Sequence, residues 1–330
     1  MVQLLIQMTL LSLTTLYQAI ALWQENQDGT MPGERFDVGG FFLHLYRKGL
    51  GPGPTIVLDH SLGGLEGYAI VDDLARLGPV CIYDRAGYGW SDQSPVPRTS
   101  QNIVEELDRL LTHAQIQPPY LLVGDSFGTY NMRLYAHRFP EKVVGLVLTD
   151  GLHESGMLNM PLALRGLKLL FLSGFWMAIV GSGLGIVRVL RRLGVFEQMK
   201  LDLKRLDPDR LRCITRSFCR PKHWITMSRE LWSLDQSGRE VSTVQDLQDL
   251  PIVNIKSNSF FKPVLWTRLI PLNSINQLRD QIHEQLLQLS SRSRQILAPK
   301  SGHFVWIDEP ERLSEAVQQI LADTNPSANS

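Results

Sequence analysis

The stretch LVGDSFGTYNMRLYAHRFP, residues 122–140, decides the fold of this chain. An apolar, strand-like run ends in a serine that has a glycine two positions away on each side, and a helical pattern follows at once. Glycine allows close backbone approach because it has no Cβ atom. The pattern therefore predicts a sharp strand-to-helix turn that lifts the hydroxyl of Ser126 above the end of a buried strand.

Short apolar runs alternate with helical patterns along most of the chain. The runs are FFLHLYRKG (41–49), TIVLDH (55–60), VCIYDR (80–85), YLLVGDS (120–126), VVGLVLTDG (143–151), LPIVNIK (250–256) and RQILAP (294–299). Helices are predicted over residues 66–77, 99–116, 127–138, 273–290 and 310–322. Nearly continuous Val, Ile and Leu runs are typical of strands covered on both faces. The order predicts an α/β fold, with a mostly parallel twisted sheet and helices on both of its faces.

The alternation stops between residues 151 and 250, where the pattern is mostly helical. Residues 169–187, LLFLSGFWMAIVGSGLGIV, carry no charge and are long enough to cross a bilayer. The strands before and after this region must share one sheet, so we interpret it as a helical cap inserted over the end of the sheet. The predicted organisation is an apolar segment (1–24), a first core part (25–150), the cap (151–250) and a second core part (251–330).

The first 24 residues contain no charged side chain, and Glu25 is the first ionisable one. Three interpretations stay open: a membrane anchor, an amphipathic or packed helix, and a cleaved signal. The run lacks the basic start of a secretory signal, and polar residues such as Gln18 dilute its hydrophobicity. The location of the protein therefore stays open between membrane-associated and cytoplasmic. We expect contact with a membrane surface through this segment and the apolar cap.

The composition argues against a nucleic-acid partner, a structural zinc site and a disulfide framework. Thirty-three basic and 33 acidic residues give a net charge of zero without a long basic run, so a nucleic-acid partner is not expected. The three cysteines, Cys81, Cys213 and Cys219, have no metal-ligand spacing and are odd in number. We therefore expect neither a structural zinc site nor a disulfide framework.

A serine hydroxyl needs a base before it can act as a nucleophile. His303 follows the last predicted strand and precedes the last helix, so its loop can return to the turn at Ser126. We therefore predict that His303 is this base. The other histidines considered are interpreted as surface or core residues: His44, His113, His137, His223 and His283.

Five segments carry a resemblance to the α/β-hydrolase fold superfamily, within the group of capped esterase-like and peptidase-like hydrolases. They are VLDHSLGG (57–64), YDRAGYGWSD (83–92), LVGDSFG (122–128), LVLTDG (146–151) and SGHFVWIDEP (301–310), in the family's order. The resemblance covers most of residues 36–322 outside the cap. It implies a catalytic triad in the chain order Ser, acid, His, and a reaction that needs no metal or organic cofactor.

The resemblance leaves the acid to be chosen. Many members carry it after the strand that follows the cap, but residues 251–266, PIVNIKSNSFFKPVLW, contain no carboxylate. Other members place it one strand earlier, where this chain has Asp150. We predict Asp150 as the acid, with Asp280 and Glu154 as lesser candidates.

The resemblance also implies an oxyanion hole made of two backbone amides. The amide of Phe127, directly after the serine, is one predicted donor, and Leu62 or Ser61 is the second. Relatives commonly have histidine where this chain has Asp125, and a buried carboxylate needs a partner. We predict a contact between Asp125 and His60.

The leading functional expectation is a serine hydrolase that forms an acyl-enzyme from a carboxylic ester or related acyl substrate, with a lipophilic substrate favoured by the apolar cap. Two alternatives stay open, a proline-iminopeptidase-like aminopeptidase and a non-catalytic hydrolase-fold protein that binds a ligand. Ser126 argues against epoxide hydrolase and haloalkane dehalogenase chemistry, because those relatives have aspartate at that position.

Overall fold

A computed structural model describes residues 1–27, 31–159, 162–199, 203–204, 206–260 and 272–324. Within these residues, eight strands form one sheet in the order β1-β2-β4-β3-β5-β6-β7-β8. The strands are β1 (Glu34–Asp37), β2 (Phe42–Lys48), β3 (Thr55–Asp59), β4 (Val80–Asp84), β5 (Tyr120–Asp125), β6 (Val143–Thr149), β7 (Ile252–Ser257) and β8 (Ser293–Ala298). Strands β1 and β2 are antiparallel to their neighbours, and all other pairs are parallel. The predicted mostly parallel sheet is confirmed.

Helices connect the strands and also fill a long interval between β6 and β7. They are α1 (Val2–Gln27), α2 (Gly67–Leu74), α3 (Ser100–His113), α4 (Gly128–Arg138), α5 (Glu154–Leu158), α6 (Leu162–Gly183), α7 (Ile186–Arg192), α8 (Val195–Met199), α9 (Pro208–Phe218), α10 (Pro221–Val241), α11 (Leu272–Leu287), α12 (Val305–Asp308) and α13 (Pro310–Thr324). Helices α5 to α10 lie between β6 and β7, in the region where the sequence pattern is mostly helical.

The two faces of the sheet carry two separate cores, as the two-residue period of a strand requires. Leu121 and Val123 of β5 point to the core that contains residues of α2 and α13. Leu122 points to the opposite core, which contains residues of α3 and α4. Both faces of β5 are therefore buried, which explains why its sequence is continuously apolar.

Helix α1 is attached to the helices between β6 and β7. Gln18 is buried and donates a hydrogen bond to the carbonyl of Cys219 at 2.7 Å. Gly185 approaches α1 so closely that a Cβ atom there would lie 2.2 Å from the carbonyl oxygen of Thr14. By length and composition α1 qualifies as a membrane-crossing helix, and so does the pair formed by Lys168–Gly183 and α7, which is bent by 86°.

Candidate active site

Ser126 lies directly after β5, in a strained turn. Its φ of 50° is in the left-handed region that side chains other than glycine seldom adopt. A Cβ atom at Gly124 would lie 2.7 Å from the backbone of Gly128, and one at Gly128 would lie 2.6 Å from the carbonyl oxygen of Asp59. The flanking glycines are thus required by close backbone packing, and the turn holds the serine at the carboxyl end of the strand.

The structure brings together the three side chains predicted for the triad. Ser126 Oγ lies 2.9 Å from Nε2 of His303, and Nδ1 of His303 lies 2.5 Å from Oδ2 of Asp150. All three residues are buried. They follow β5, β8 and β6, and the carboxyl ends of parallel strands meet at one edge of the sheet. A hydroxyl, an imidazole and a carboxylate in this sequence can move a proton away from the serine oxygen.

The two lesser acid candidates form ion pairs elsewhere in the structure. Glu154 forms a buried ion pair with Arg133 at 2.9 Å. Asp280 pairs with Lys256 at 2.7 Å, and its side chain is half exposed. Asp150 is therefore the carboxylate that the fold places against His303.

The second oxygen of Asp150 has partners that the sequence pattern did not reveal. Oδ1 accepts hydrogen bonds from the backbone amide and hydroxyl of Ser257, at 3.2 and 3.0 Å, and contacts the guanidinium of Arg279. Nε2 of His283 lies 3.4 Å away, and its Nδ1 lies 3.0 Å from the side-chain oxygen of Asn254. Ser257 ends β7, the strand next to β6, which explains how its amide reaches the carboxylate.

These contacts determine the charge of Asp150. Burial alone would raise the pKa of this carboxyl, but the hydrogen bonds from His283 and His303 and the charge of Arg279 outweigh it and hold the pKa well below its usual value. Burial also lowers the pKa of His283. Asp150 is therefore an anion at neutral pH.

The loop that carries His303 is fixed by contacts on both sides. The amide of Lys300 donates to a side-chain oxygen of Glu309 at 2.7 Å, and the amide of His303 donates to the carbonyl of Phe260 at 3.2 Å. The Phe260 ring stacks on the imidazole with 4.5 Å between centroids. The position and the plane of the imidazole are both constrained.

The loop after β3 contains the predicted oxyanion donors Ser61 and Leu62. Arg85 donates to the carbonyls of His60 and Ser61 at 2.7 and 2.8 Å, which turns these carbonyls toward the guanidinium. Within the described residues, the amides of Ser61, Leu62 and Phe127 donate to no backbone carbonyl.

Arg85 also links this loop to the helices between β6 and β7. Its guanidinium contacts Asp59 at 2.6 Å and Glu230 of α10 at 2.9 Å. Glu230 accepts a further bond from the hydroxyl of Tyr88 at 2.7 Å. All four side chains are buried. A buried ion pair keeps its favourable energy only while its geometry and hydrogen bonds are satisfied, so the network fixes α10 relative to the loop.

The contact predicted between Asp125 and His60 is not found as a hydrogen bond, since Nε2 of His60 has no hydrogen-bond partner among the described residues. Nδ1 of His60 instead accepts from the amide of Gly67 at 3.2 Å, at the start of α2. Burial lowers the pKa of His60, so the ring is neutral and can accept this bond. Among the described residues, no group of three His, Cys, Asp or Glu side chains is placed to hold a metal ion.

Comparisons with known proteins agree with this architecture. A family model described as alpha/beta hydrolase fold matches residues 54–171. The uncharacterized protein YqjL of Bacillus subtilis is 33% identical over 117 residues, which cover 35% of this chain and 46% of YqjL. An AB hydrolase superfamily protein of Gibberella zeae is 25% identical over 269 residues, which cover 73% of this chain and 77% of that protein. The chain thus spans less than half of the length of YqjL.

A solved structure gives the same result for the fold. The enol-lactonase from Burkholderia xenovorans LB400 aligns with a TM-score of 0.59 and 16% identity, covering 88% of this chain and all of the enol-lactonase. Identity at that level speaks for the fold alone. The family model over residues 54–171, the Gibberella zeae relative and the strand order all agree with an α/β-hydrolase fold for this chain.

Proposed function

We propose that the protein is a serine hydrolase that cleaves carboxylic esters or related acyl substrates through an acyl-enzyme on Ser126. The observation that carries the proposal is the continuous chain of hydrogen bonds from Ser126 Oγ to His303 Nε2, and from His303 Nδ1 to Asp150. A base within hydrogen-bond reach of a hydroxyl, oriented by a third group, is the arrangement that activates a serine nucleophile.

The proposed reaction has two halves. In the first, Nε2 of His303 removes the proton from Ser126 Oγ while that oxygen attacks the substrate carbonyl carbon, and the imidazolium then protonates the departing alcohol. In the second, His303 removes a proton from water, which attacks the acyl-enzyme, and the imidazolium returns this proton to Ser126 Oγ as the acid leaves. Asp150 holds the Nδ1–H tautomer and stabilises the imidazolium, for which its ionised state is required.

Two backbone amides are proposed to stabilise the negative oxygen of the tetrahedral intermediate. The amide of Phe127 is the first, and that of Leu62 or Ser61 is the second. Arg85 supports this assignment because it binds the carbonyls of His60 and Ser61 and so limits rotation of their peptide groups. A well-placed donor of this kind is worth about 100- to 1000-fold in kcat.

Apolar side chains around the triad favour a lipophilic acyl group. Phe260 stacks on His303, and the half-exposed ring of Phe304 lies 5.6 Å from the same imidazole. Met227 of α10 packs so closely on Gly63 that a Cβ there would lie 2.5 Å from its sulfur. In this proposal helices α5 to α10 form the cap over the site, and α10 contributes part of its apolar wall.

The aminopeptidase alternative needs a carboxylate in these helices to bind a substrate amine. The two buried carboxylates there, Glu154 and Glu230, are both paired with arginines of the core.

The test is hydrolysis of p-nitrophenyl esters graded by acyl length. The wild-type protein should release nitrophenol, with higher kcat/KM for longer acyl chains, and Ser126→Ala should lose activity by about 1000-fold or more. Ser173→Ala, which removes an exposed serine of α6, is the matched control and should retain full activity. Equal rates for wild type and Ser126→Ala would contradict the proposal. If both rates also equalled the uncatalysed rate, a non-catalytic ligand-binding protein would be favoured.

A further inference from the structure

The first part of α1 is an apolar helix that is exposed on every side. Leu5, Ile6 and Leu13 are 58%, 54% and 57% exposed, and their neighbours in residues 1–13 are exposed as well. A helix of this kind is hydrophobic all round rather than along one stripe. It therefore needs an apolar environment outside the chain.

The second part of α1 holds this apolar section in a defined position. Arg188 of α7 donates to the side-chain oxygen of Gln18 at 2.6 Å and forms an ion pair with Glu25 at 2.5 Å. Arg220 contacts the second carboxylate oxygen of Glu25 at 2.9 Å. Helix α1 is consequently fixed to α7 and to Arg220, the residue before α10.

Exposed apolar residues also lie on α6, and Gly185, in the turn after α6, packs against α1 at Thr14. Trp176, Met177 and Val180 are 64%, 71% and 59% exposed. Exposed apolar side chains on two helices in contact are typical of an interaction with a membrane or another protein.

A basic cavity lies at the base of this surface. Its volume is about 1060 Å³, and α1, α7 and α9 form much of its wall. Among the described residues, the charged side chains that line it are Arg188, Arg191, Arg192, Arg212, Arg216, Glu25, Glu197 and Asp209. The arginines outnumber the carboxylates, so the cavity is suited to an anion.

One arginine of the cavity, Arg188, retains unused hydrogen-bonding capacity. Nη2 of the buried Arg188 has no hydrogen-bond partner among the described residues. The carboxylate of Glu25 already forms ion pairs with Nη1 of Arg188 and with Arg220, and neither of these contacts uses Nη2 of Arg188. Guanidinium groups bind phosphate in a bidentate manner, and a phosphate in the cavity would supply the missing acceptor.

We propose that the protein docks on an anionic membrane, with the exposed parts of α1 and α6 in the apolar layer and the phosphate of an anionic lipid headgroup in the arginine cavity. The charge of the cavity favours a lipid surface over a second copy of the chain, whose corresponding face would present the same arginines. The proposal is independent of the chemistry at Ser126.

The test is co-sedimentation of the full chain with vesicles of phosphatidylcholine alone or of equal parts phosphatidylcholine and phosphatidylglycerol. Binding should be stronger to the anionic vesicles and should weaken in high salt. The double variant Arg191→Gln/Arg212→Gln should bind them about thirty-fold more weakly, since each arginine near an anionic surface is worth about 1 kcal/mol. Arg76→Gln, an exposed arginine outside the cavity, is the control and should bind like wild type.

Three results would overturn the proposal. Failure to bind either vesicle would exclude membrane docking. Equal binding to both vesicles, unchanged in the double variant, would exclude the headgroup site. Formation of a dimer that ignores vesicles, detected by sedimentation velocity, would assign the apolar surface to a second copy of the chain.

Discussion

Arg279 and His303 contact different oxygens of the same carboxylate. The guanidinium of Arg279 is against Oδ1 of Asp150, and Nδ1 of His303 is 2.5 Å from Oδ2. The arginine comes from α11 and the acid from the end of β6, so two elements far apart in sequence fix the orientation of one side chain. A carboxylate held in this way loses little conformational entropy when it orients the imidazole.

Asp150→Asn should lower kcat for ester hydrolysis by about four orders of magnitude, because the amide favours the wrong imidazole tautomer. The protein should still fold, since asparagine has the same shape. Asp280→Asn is the control, because Asp280 pairs at the surface with Lys256. Steady-state kinetics measure kcat for both variants. Full turnover by Asp150→Asn would reject Asp150 as the acid.

Stability should depend on pH through Asp150. Its pKa is held well below the ordinary value of 3.8, so the unfolded chain takes up the proton first as the pH falls. The stabilisation is fully present above that ordinary value and is lost as the pH drops below it toward the folded pKa. The difference in free energy of unfolding between wild type and Asp150→Asn should therefore be larger at about pH 6 than at about pH 3. Urea titrations of the two proteins at each pH measure these free energies of unfolding. A difference that does not change with pH would contradict the assignment of the low pKa to Asp150.

Glu230→Gln should destabilise the protein and slow the reaction. Removing one partner of a buried ion pair costs about 3–5 kcal/mol, because Arg85 keeps its charge without a full set of partners. Arg85 also positions the carbonyls of His60 and Ser61, so kcat should fall more than KM rises. Asp235→Asn, a half-exposed position on the same helix, is the matched control. An unchanged kcat in a folded Glu230→Gln protein would show that the ion pair from α10 does not position the loop after β3 for the reaction.

Gly128→Ala tests the packing of the turn. The new Cβ would lie 2.6 and 2.9 Å from the carbonyl oxygens of Asp59 and His60, and overpacking of this kind costs about 1–3 kcal/mol. Gly174→Ala in α6 has no atom within 4 Å of its new Cβ and should be stabilising by about 0.5–1 kcal/mol. The midpoints of thermal unfolding of Gly128→Ala and Gly174→Ala measure this difference in stability. Equal midpoints would show that the turn tolerates a side chain.

The sequence predicts the central sheet well because its strands are buried on both faces and so are continuously apolar. The turn at Ser126 is equally predictable, since the glycine, serine and glycine that form it lie together in one short stretch of sequence between a strand pattern and a helix pattern. Strand β1 (Glu34–Asp37) was not predicted. Its residues ERFD have little apolar character, and it forms at the sheet edge through backbone pairing with β2.

The surroundings of the acid were not predictable in the same way. Ser257, Arg279 and His283 meet Asp150 across 107 to 133 positions of the chain, and no local pattern marks them. His283 fits its interpretation as a buried core histidine, yet it also contacts the acid. Residue spacing reports periodicity within one element, whereas these contacts depend on how β6, β7 and α11 pack.

The most direct test of the account is labelling with a fluorophosphonate probe, followed by peptide mass spectrometry. An activated serine attacks the phosphorus and displaces fluoride, and the adduct should map to Ser126. His303→Ala should label far more slowly than wild type, because the base that removes the proton is gone. An adduct on another serine, or labelling of His303→Ala at the wild-type rate, would contradict the proposal that His303 activates Ser126.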